Sequence, residues 1–334
     1  MTLHWGVLGT GSIAAQFARD LVHLPAARIV AVGSRTQESA DRFADAHDIE
    51  VRHASYADLV LEEQVDAVYV ATPHPVHREC ALLAIDAGKP VLVEKPFALN
   101  AIEAQEIVRA ARDAGTFCME AMWTRFLPYV VAIRELIAAG RLGELRSVRA
   151  DFGELFPVDA THRAYAPELG GGALLDLGVY PVSFAMMLLG PPTDIKALHH
   201  EAPTGVDGQT VVVMRHENGA LSQSSCSFEA KASNTASIHG ALGRIEVDGD
   251  FYAHSAFRII TSDGDVEVVD IPHVGRGLRH QAAEVARCLA AGLTESPVLT
   301  LDDTLAVMET MDEVRRQIGL VYPGEVAASD TTLR

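Results

Sequence analysis

Residues 4–8 form a short apolar run that breaks at the turn Gly9-Thr10-Gly11, and an amphipathic run over 13–24 follows at once. Gly9 permits a tight turn at the end of a strand. Gly11 brings no side chain, so a pyrophosphate can approach the backbone, and Ala14 lets a following helix pack close to the strand. The start of that helix, at Ser12 and Ile13, offers free N–H groups and a positive dipole end to phosphate. A lone Gly-x-Gly is also an ordinary strand-to-helix turn. Here it follows a strand, opens a helix and heads an alternating series, the context that makes it a dinucleotide signature.

The alternation continues downstream. Residues 28–33 read as a strand, 39–47 as a helix, 65–71 as a third strand, and 75–87 as a helix ended by Gly88. A fourth strand follows at 90–93, then a helix at 102–114 with Gly115 behind it. Glycine tolerates the left-handed conformation that closes helices. Strands separated by helices imply right-handed crossovers and a parallel sheet. Residues 1–121 are therefore expected to form a doubly wound Rossmann domain. Beyond them the pattern changes. Residues 128–139 and 172–189 read as helices, and 194–271 are strand-rich with glycine turns, the mark of an antiparallel sheet. Helices at 278–291 and 301–318 close the chain. The expected class is α/β: a Rossmann domain followed by an α+β domain, 122–334, with an open, predominantly antiparallel sheet. The last helix is expected to pack back on the first domain, and the tail 327–334 to fray.

A length of 334 residues, 49% hydrophobic, suits two domains with their own cores. The net charge of −18, with no basic cluster, argues against a nucleic-acid partner. Cys80, Cys118, Cys226 and Cys288 are widely spaced and form no CxxC pair. They read as free thiols in a reducing compartment rather than disulfides or a zinc site. No signal peptide is evident, and no apolar stretch is expected to approach the ~20 residues of a membrane helix. The expectation is a cytoplasmic protein with no membrane partner.

Three further motifs carry chemistry. After the second strand stand Ser34, Arg35 and Thr36, where a carboxylate would otherwise hold the ribose of NAD; the nearest acid is Glu38. These groups can hold a 2′-phosphate, which favours NADP over NAD; a solvated surface arginine is the plainer reading. After the fourth strand come Glu94 and Lys95, inside an apolar segment and at a strand end, where open α/β sheets bind ligands. Thr72, His74 and His77 follow the third strand. The two histidines have metal-ligand spacing but no convergent third ligand, so cofactor-lining or helix-capping roles fit better and no metal is expected. Asp176 and Tyr180 are spaced i, i+4, sharing one helical face inside an apolar run. That pair could equally be a buried tyrosine with a satisfied hydroxyl. Pro181 implies a kink or restart.

With these motifs in place, the sequence resembles the glucose–fructose oxidoreductase/inositol dehydrogenase family. Within it the chain looks closest to the branch of dimeric dihydrodiol dehydrogenases and NADP-dependent D-xylose dehydrogenases. The segments EKPFALN, MEAMWTRFLP, GRLGELRSVRADFG and GGALLDLGVYP carry the resemblance. It implies that Lys95 assists proton transfer, Tyr180 is the general acid/base and Asp176 orients substrate or the lysine. Trp123, Arg146 and Phe152 would line the substrate pocket with Asp176 and Tyr180. Gly9, Gly11, Ser12, Ile13, Ser34, Arg35, Thr72, His74, His77, Glu94 and Lys95 would hold the cofactor. Arg163 has no assigned role. The expected reaction moves a hydride between NADP and a carbinol of a sugar or trans-dihydrodiol. The alternatives are a reductase of another carbonyl or an imine, and a non-catalytic NAD(P)-sensing regulator on the same fold. A homodimer or dimer of dimers is expected through the open sheet, with Val211, Val213, Ile238 and Ile245 as outward apolar candidates.

Overall fold

Trp5, Val7 and Leu8 are wholly buried, as a strand covered on both faces requires. They belong to the first strand of a computed structural model that describes residues 2–325; the segment 327–334 lies outside the described residues. The chain divides into two compact units, Met1–Val131 with Pro272–Leu305, and Ala132–Ile271 with Ala306–Arg334. A single boundary at 121/122 was expected.

The first unit opens with β1 (Leu3–Leu8), α1 (Ser12–Leu21), β2 (Ala27–Gly33), α2 (Gln37–His47), β3 (Val51–His53), α3 (Tyr56–Val60), β4 (Ala67–Val70), α4 (His77–Asp86), β5 (Val91–Glu94), α5 (Ala101–Ala114) and β6 (Cys118–Ala121). The strands form one parallel sheet in the order β3-β2-β1-β4-β5-β6. The order reverses between β1 and β4, and such a switch point opens a crevice at the strands' carboxyl ends. The helix starts follow local chemistry: Thr36 accepts from the Ser39 N–H, and Asn100 from the Glu103 N–H at 2.9 Å. Strand β3 and helix α3, three and five residues long, were not foreseen, being too short for a periodic signal, and β6 was not foreseen either.

The second unit contains most of α6 (Pro128–Ala138), then β7 (Leu145–Gly153), a π-helical turn at Leu174–Gly178, α7 (Val179–Leu189), β8 (Pro192–Glu201), β9 (Asp207–His216), β10 (Leu221–Ser227), β11 (Ala236–Gly240), β12 (Gly243–Val247), β13 (Phe257–Thr261) and β14 (Val266–Val269). The strands run β14-β13-β12-β11-β7-β10-β9-β8 across one sheet. The β7–β10 pair is parallel and the rest are antiparallel. Val148, Ile238 and Ile245 sit side by side in register and are fully buried. Ile238 and Ile245 thus face inward, contrary to expectation, because alternation puts them on the face of Val148. The opposite face carries Arg149, Ser237, Glu246 and Arg258 in one row, with exposed Val213 and Leu221 and half-buried Val211. It is a mixed polar face rather than an apolar one.

Within Pro167–Leu189 an 18-residue stretch has a mean hydropathy of 1.6, long and apolar enough by length and composition to cross a membrane, which corrects the expectation that no stretch approached that length. Of that stretch, 83% is buried inside the fold. Pro181, third residue of α7, has no N–H for the Leu177 carbonyl, and the wide turn just before it accommodates that gap.

Downstream, α8 (Leu278–Ala290) returns to the first unit and α9 (Leu301–Ile318) closes the described chain. The start of α8 is anchored by Asp20. This buried carboxylate accepts the backbone N–H groups of Arg276, Gly277 and Arg279 at 2.7, 2.9 and 2.8 Å.

In the second unit Asp207 plays a comparable part. Its Oδ2 accepts the Leu174 N–H at 2.8 Å and the Thr210 hydroxyl at 2.7 Å, while Oδ1 has no hydrogen-bond partner among the described residues. Burial pushes the Asp207 carboxyl up to about 7, against the pull of those bonds. A carboxyl raised on folding stabilises only while protonated. The contribution is complete below the unfolded value of about 3.9 and is lost as pH rises through about 7. Wild type should lose stability on the order of 1–4 kcal/mol between pH 5 and 8 from this group. Asp207→Asn, which keeps the acceptor, should remove that part of the slope. Urea unfolding of both proteins across this range checks it; parallel pH profiles would count against the assignment.

Candidate active site

At the crevice, Gly9 has φ of +103°, and a Cβ there would stand 2.5 Å from the Ala71 carbonyl oxygen. Only glycine fits. Gly11 differs: a Cβ there would meet nothing within 4 Å. It is the N-cap of α1, and no side chain caps that helix. Exposed Ser12 and half-buried Ile13 form the first turn. An open glycine at an uncapped helix start suits an approaching pyrophosphate. At the end of β2, Ser34 is buried, with its N–H bonded to the His53 carbonyl. Arg35 is exposed beside Tyr56, whose hydroxyl is raised by burial and by Cys80 and Glu79 while the Arg35 charge pulls it down. Glu38 pairs with Arg42 along α2.

Lys95 follows β5 and is half-buried. Glu94 beneath it accepts from the Tyr69 hydroxyl and, at 3.1 Å, from the Lys95 N–H. His77 is fully buried, its Nε2 2.8 Å from the Thr72 carbonyl and its Nδ1 2.9 Å from the Pro96 carbonyl. Burial holds its pKa down, as does the Lys95 charge, while the carbonyl contacts push it up. His77 thus bridges the residues after β4 and β5, and neither nitrogen is left for a ligand. Both His77 and the Glu94 carboxylate brace the backbone at the strand ends. His74 lies edge-on to His77, ring centroids 5.7 Å apart. After β6, Trp123 is buried, with the Arg276 guanidinium 5.6 Å from its ring centroid. Glu120, one residue in from the end of β6, is pushed up to about 7 by burial, against Arg125 and a bond from Thr304.

In the second unit Asp176 and Tyr180 are buried one turn apart, on the π turn and the start of α7. Phe152 meets Tyr180 edge-on at 5.4 Å and stacks on Tyr252 at 3.8 Å between centroids. Asp176 Oδ2 accepts from Arg163 Nη1 at 2.8 Å. The structure brings together Asp176, Tyr180 and Phe152, with Tyr252 and Arg163 beside them. Both newcomers come from irregular segments, where no periodicity marks them. Arg146 does not join them. It lies six residues from Phe152 along β7, roughly 20 Å of strand, exposed and paired with Glu144.

Residues 3–122 match the oxidoreductase family with an NAD-binding Rossmann fold, and 130–246 match the GFO/IDH/MocA C-terminal domain. The chain belongs to this family of oxidoreductases. It is 37% identical to trans-1,2-dihydrobenzene-1,2-diol dehydrogenase of Bos taurus, covering 97% of this chain and 99% of that one. The Homo sapiens protein of the same name is 35% identical with the same coverage. Among solved structures it resembles a 3-ketoreductase from Actinomadura kijaniata in complex with NADP and TDP-benzene, with a TM-score of 0.82, 28% identity and coverage of 95% and 98%.

The two glycines should respond differently to a methyl group. Gly9→Ala should lower the melting temperature, since a strained positive-φ residue costs about 1–3 kcal/mol and the Ala71 carbonyl must also move. Gly11→Ala should melt like wild type yet bind NAD(P)H at least ~10-fold more weakly. Thermal melts alongside fluorescence titrations with NADH and NADPH separate these effects. Equal melting of the two variants would contradict the geometry.

Proposed function

We propose that the chain oxidises a carbinol of a sugar or a trans-dihydrodiol with NADP⁺, or catalyses the reverse reduction. The observation that carries this reading is Tyr180, a hydroxyl held in an aromatic wall one turn from a buried carboxylate. The near full-length similarity to dihydrodiol dehydrogenases supports it. In this reading residues 1–121 take the cofactor and 122–334 the substrate.

The bound nicotinamide supplies the hydride acceptor. The chain must bind it, orient the carbinol and take up the hydroxyl proton. Gly9, Gly11, Ser12 and Ile13 hold the pyrophosphate, Thr72 and His74 flank it, and Ser34 and Arg35 hold the 2′-phosphate. Glu38, committed to Arg42, supports NADP over NAD. Tyr180 receives the proton. A free tyrosine, with a pKa of about 10, is a poor base at neutral pH, and the Lys95 ammonium would favour its ionised form. Asp176 orients the substrate, and Trp123 and Phe152 bound it. The four buried free cysteines support a reducing compartment such as the cytoplasm. We also assign a homodimer, or a dimer of dimers, to the outer sheet face bearing Val213 and Leu221. Light scattering should give at least twice the chain mass at micromolar concentration, and a monomer would refute it.

Turnover of pentoses, hexoses and trans-dihydrodiols with each cofactor tests the reaction; no activity on any of them would sink it. NADP should be preferred about 10- to 100-fold, the value of a charge-assisted hydrogen bond to Arg35. Arg35→Asp should reverse that preference. Tyr180→Phe should lower kcat by about 10²–10⁴ with little change in cofactor affinity. The double variant with Lys95→Met should be hardly worse than the worse single one, as expected of groups sharing one proton transfer. A Tyr180→Phe enzyme keeping over half of wild-type kcat would remove Tyr180 from this role.

A further inference from the structure

Arg163 sits in an irregular stretch between β7 and the π turn, and its guanidinium is 2.8 Å from the buried Asp176 carboxylate. The two ends of this pair differ sharply: the Arg163 side chain is 53% exposed and that of Asp176 only 7%. A buried carboxylate needs a partner, and a bidentate clamp from both guanidinium nitrogens would serve that need best. From this guanidinium Asp176 receives Nη1. Of the five N–H donors on a guanidinium, this bond uses one and leaves others on the exposed side.

A hydroxyl group both donates and accepts. Beside a carboxylate that accepts and a guanidinium that donates, it finds both needs met at once. Tyr180, one turn along from Asp176, is the proposed partner of the reacting hydroxyl. A second hydroxyl on the neighbouring carbon would then meet the Arg163–Asp176 pair. We infer that Arg163 is a substrate-recognition residue, which with Asp176 binds the hydroxyl vicinal to the reacting carbinol and makes the site selective for 1,2-diols over simple alcohols. This rests on the proposed carbinol oxidation. Its physical basis is that a site built to hydrogen-bond a hydroxyl rejects an analogue lacking it, because the site's own polar groups are then left unpaired.

The test compares wild type, Arg163→Met and Arg163→Lys on a vicinal diol that wild type turns over and on its analogue deoxygenated at the neighbouring carbon. For Arg163→Met, KM for the diol should rise about 10- to 100-fold, the loss of a charged hydrogen bond. The deoxy analogue should lose far less in kcat/KM than the diol, and KM for NADP should be unchanged, so discrimination between the two substrates collapses. Arg163→Lys, which keeps a charged donor, should recover part of it and serves as the variant of record if Arg163→Met does not fold. Equal losses on both substrates, or a fall in kcat alone, would show a latch for Asp176 and overturn the assignment, as would unchanged discrimination. A wild type inactive on every diol overturns the carbinol reading along with this one; an active wild type with unaltered variants overturns this one alone.

Discussion

The Ala71 carbonyl occupies the space that a side chain at residue 9 would need. That contact follows from the strand order, because β1 and β4 are neighbours and their carboxyl ends meet where the sheet changes direction. The turn after β1 must then take a positive φ and carry no Cβ. Helix α1 starts immediately beyond, with an open glycine as its cap. The ends of β4 and β5 are held from behind by His77 and Glu94, so Thr72 and Lys95 emerge from braced backbone. One close approach of main chain thus fixes where a dinucleotide can lie and what stands beside it.

Buried carboxylates organise much of the remainder. Asp20 gathers three amides, Asp207 an amide and a hydroxyl, Glu94 a phenol and an amide, and Asp176 a guanidinium. A buried acid is costly unless bonded, so each acts as a demand that its surroundings adopt one arrangement. The excess of acidic residues, which by composition speaks only of solubility, includes members that work inside. Asp207 and Glu120 show the cost, since burial raises both toward neutrality.

The sequence made the first sheet legible because its longer strands and helices alternate with distinct periods and glycine punctuation. It concealed β3, only three residues long, and β6, whose four residues include the charged Glu120 among apolar neighbours. Strand β7 escaped because Arg146, Arg149 and Asp151 interrupt its apolar positions, although they sit on a strand central to the sheet. In the site, Gly9, Lys95, Asp176 and Tyr180 were visible from strand ends and helical spacing. Arg163 was not, because a tertiary ion pair to a residue thirteen positions away leaves no period. The outward placement of Ile238 and Ile245 failed for another reason: composition names apolar residues but not the face they occupy, which register alone decides.

Asp20 lies near the start of the chain, yet the amides that satisfy it belong to residues 276–279. The first unit is completed only by Pro272–Leu305, and the second needs residues after Leu305, among them Tyr322, whose hydroxyl donates to the Gly171 carbonyl. During synthesis, therefore, neither unit can finish as it leaves the ribosome. The parallel sheet can assemble early, but it waits with an unsatisfied acid on α1 while the other unit's strands are translated. A chain cut before Pro272 would therefore lack the completing segment of both units, whereas one cut just after Leu305 would lack only that of the second.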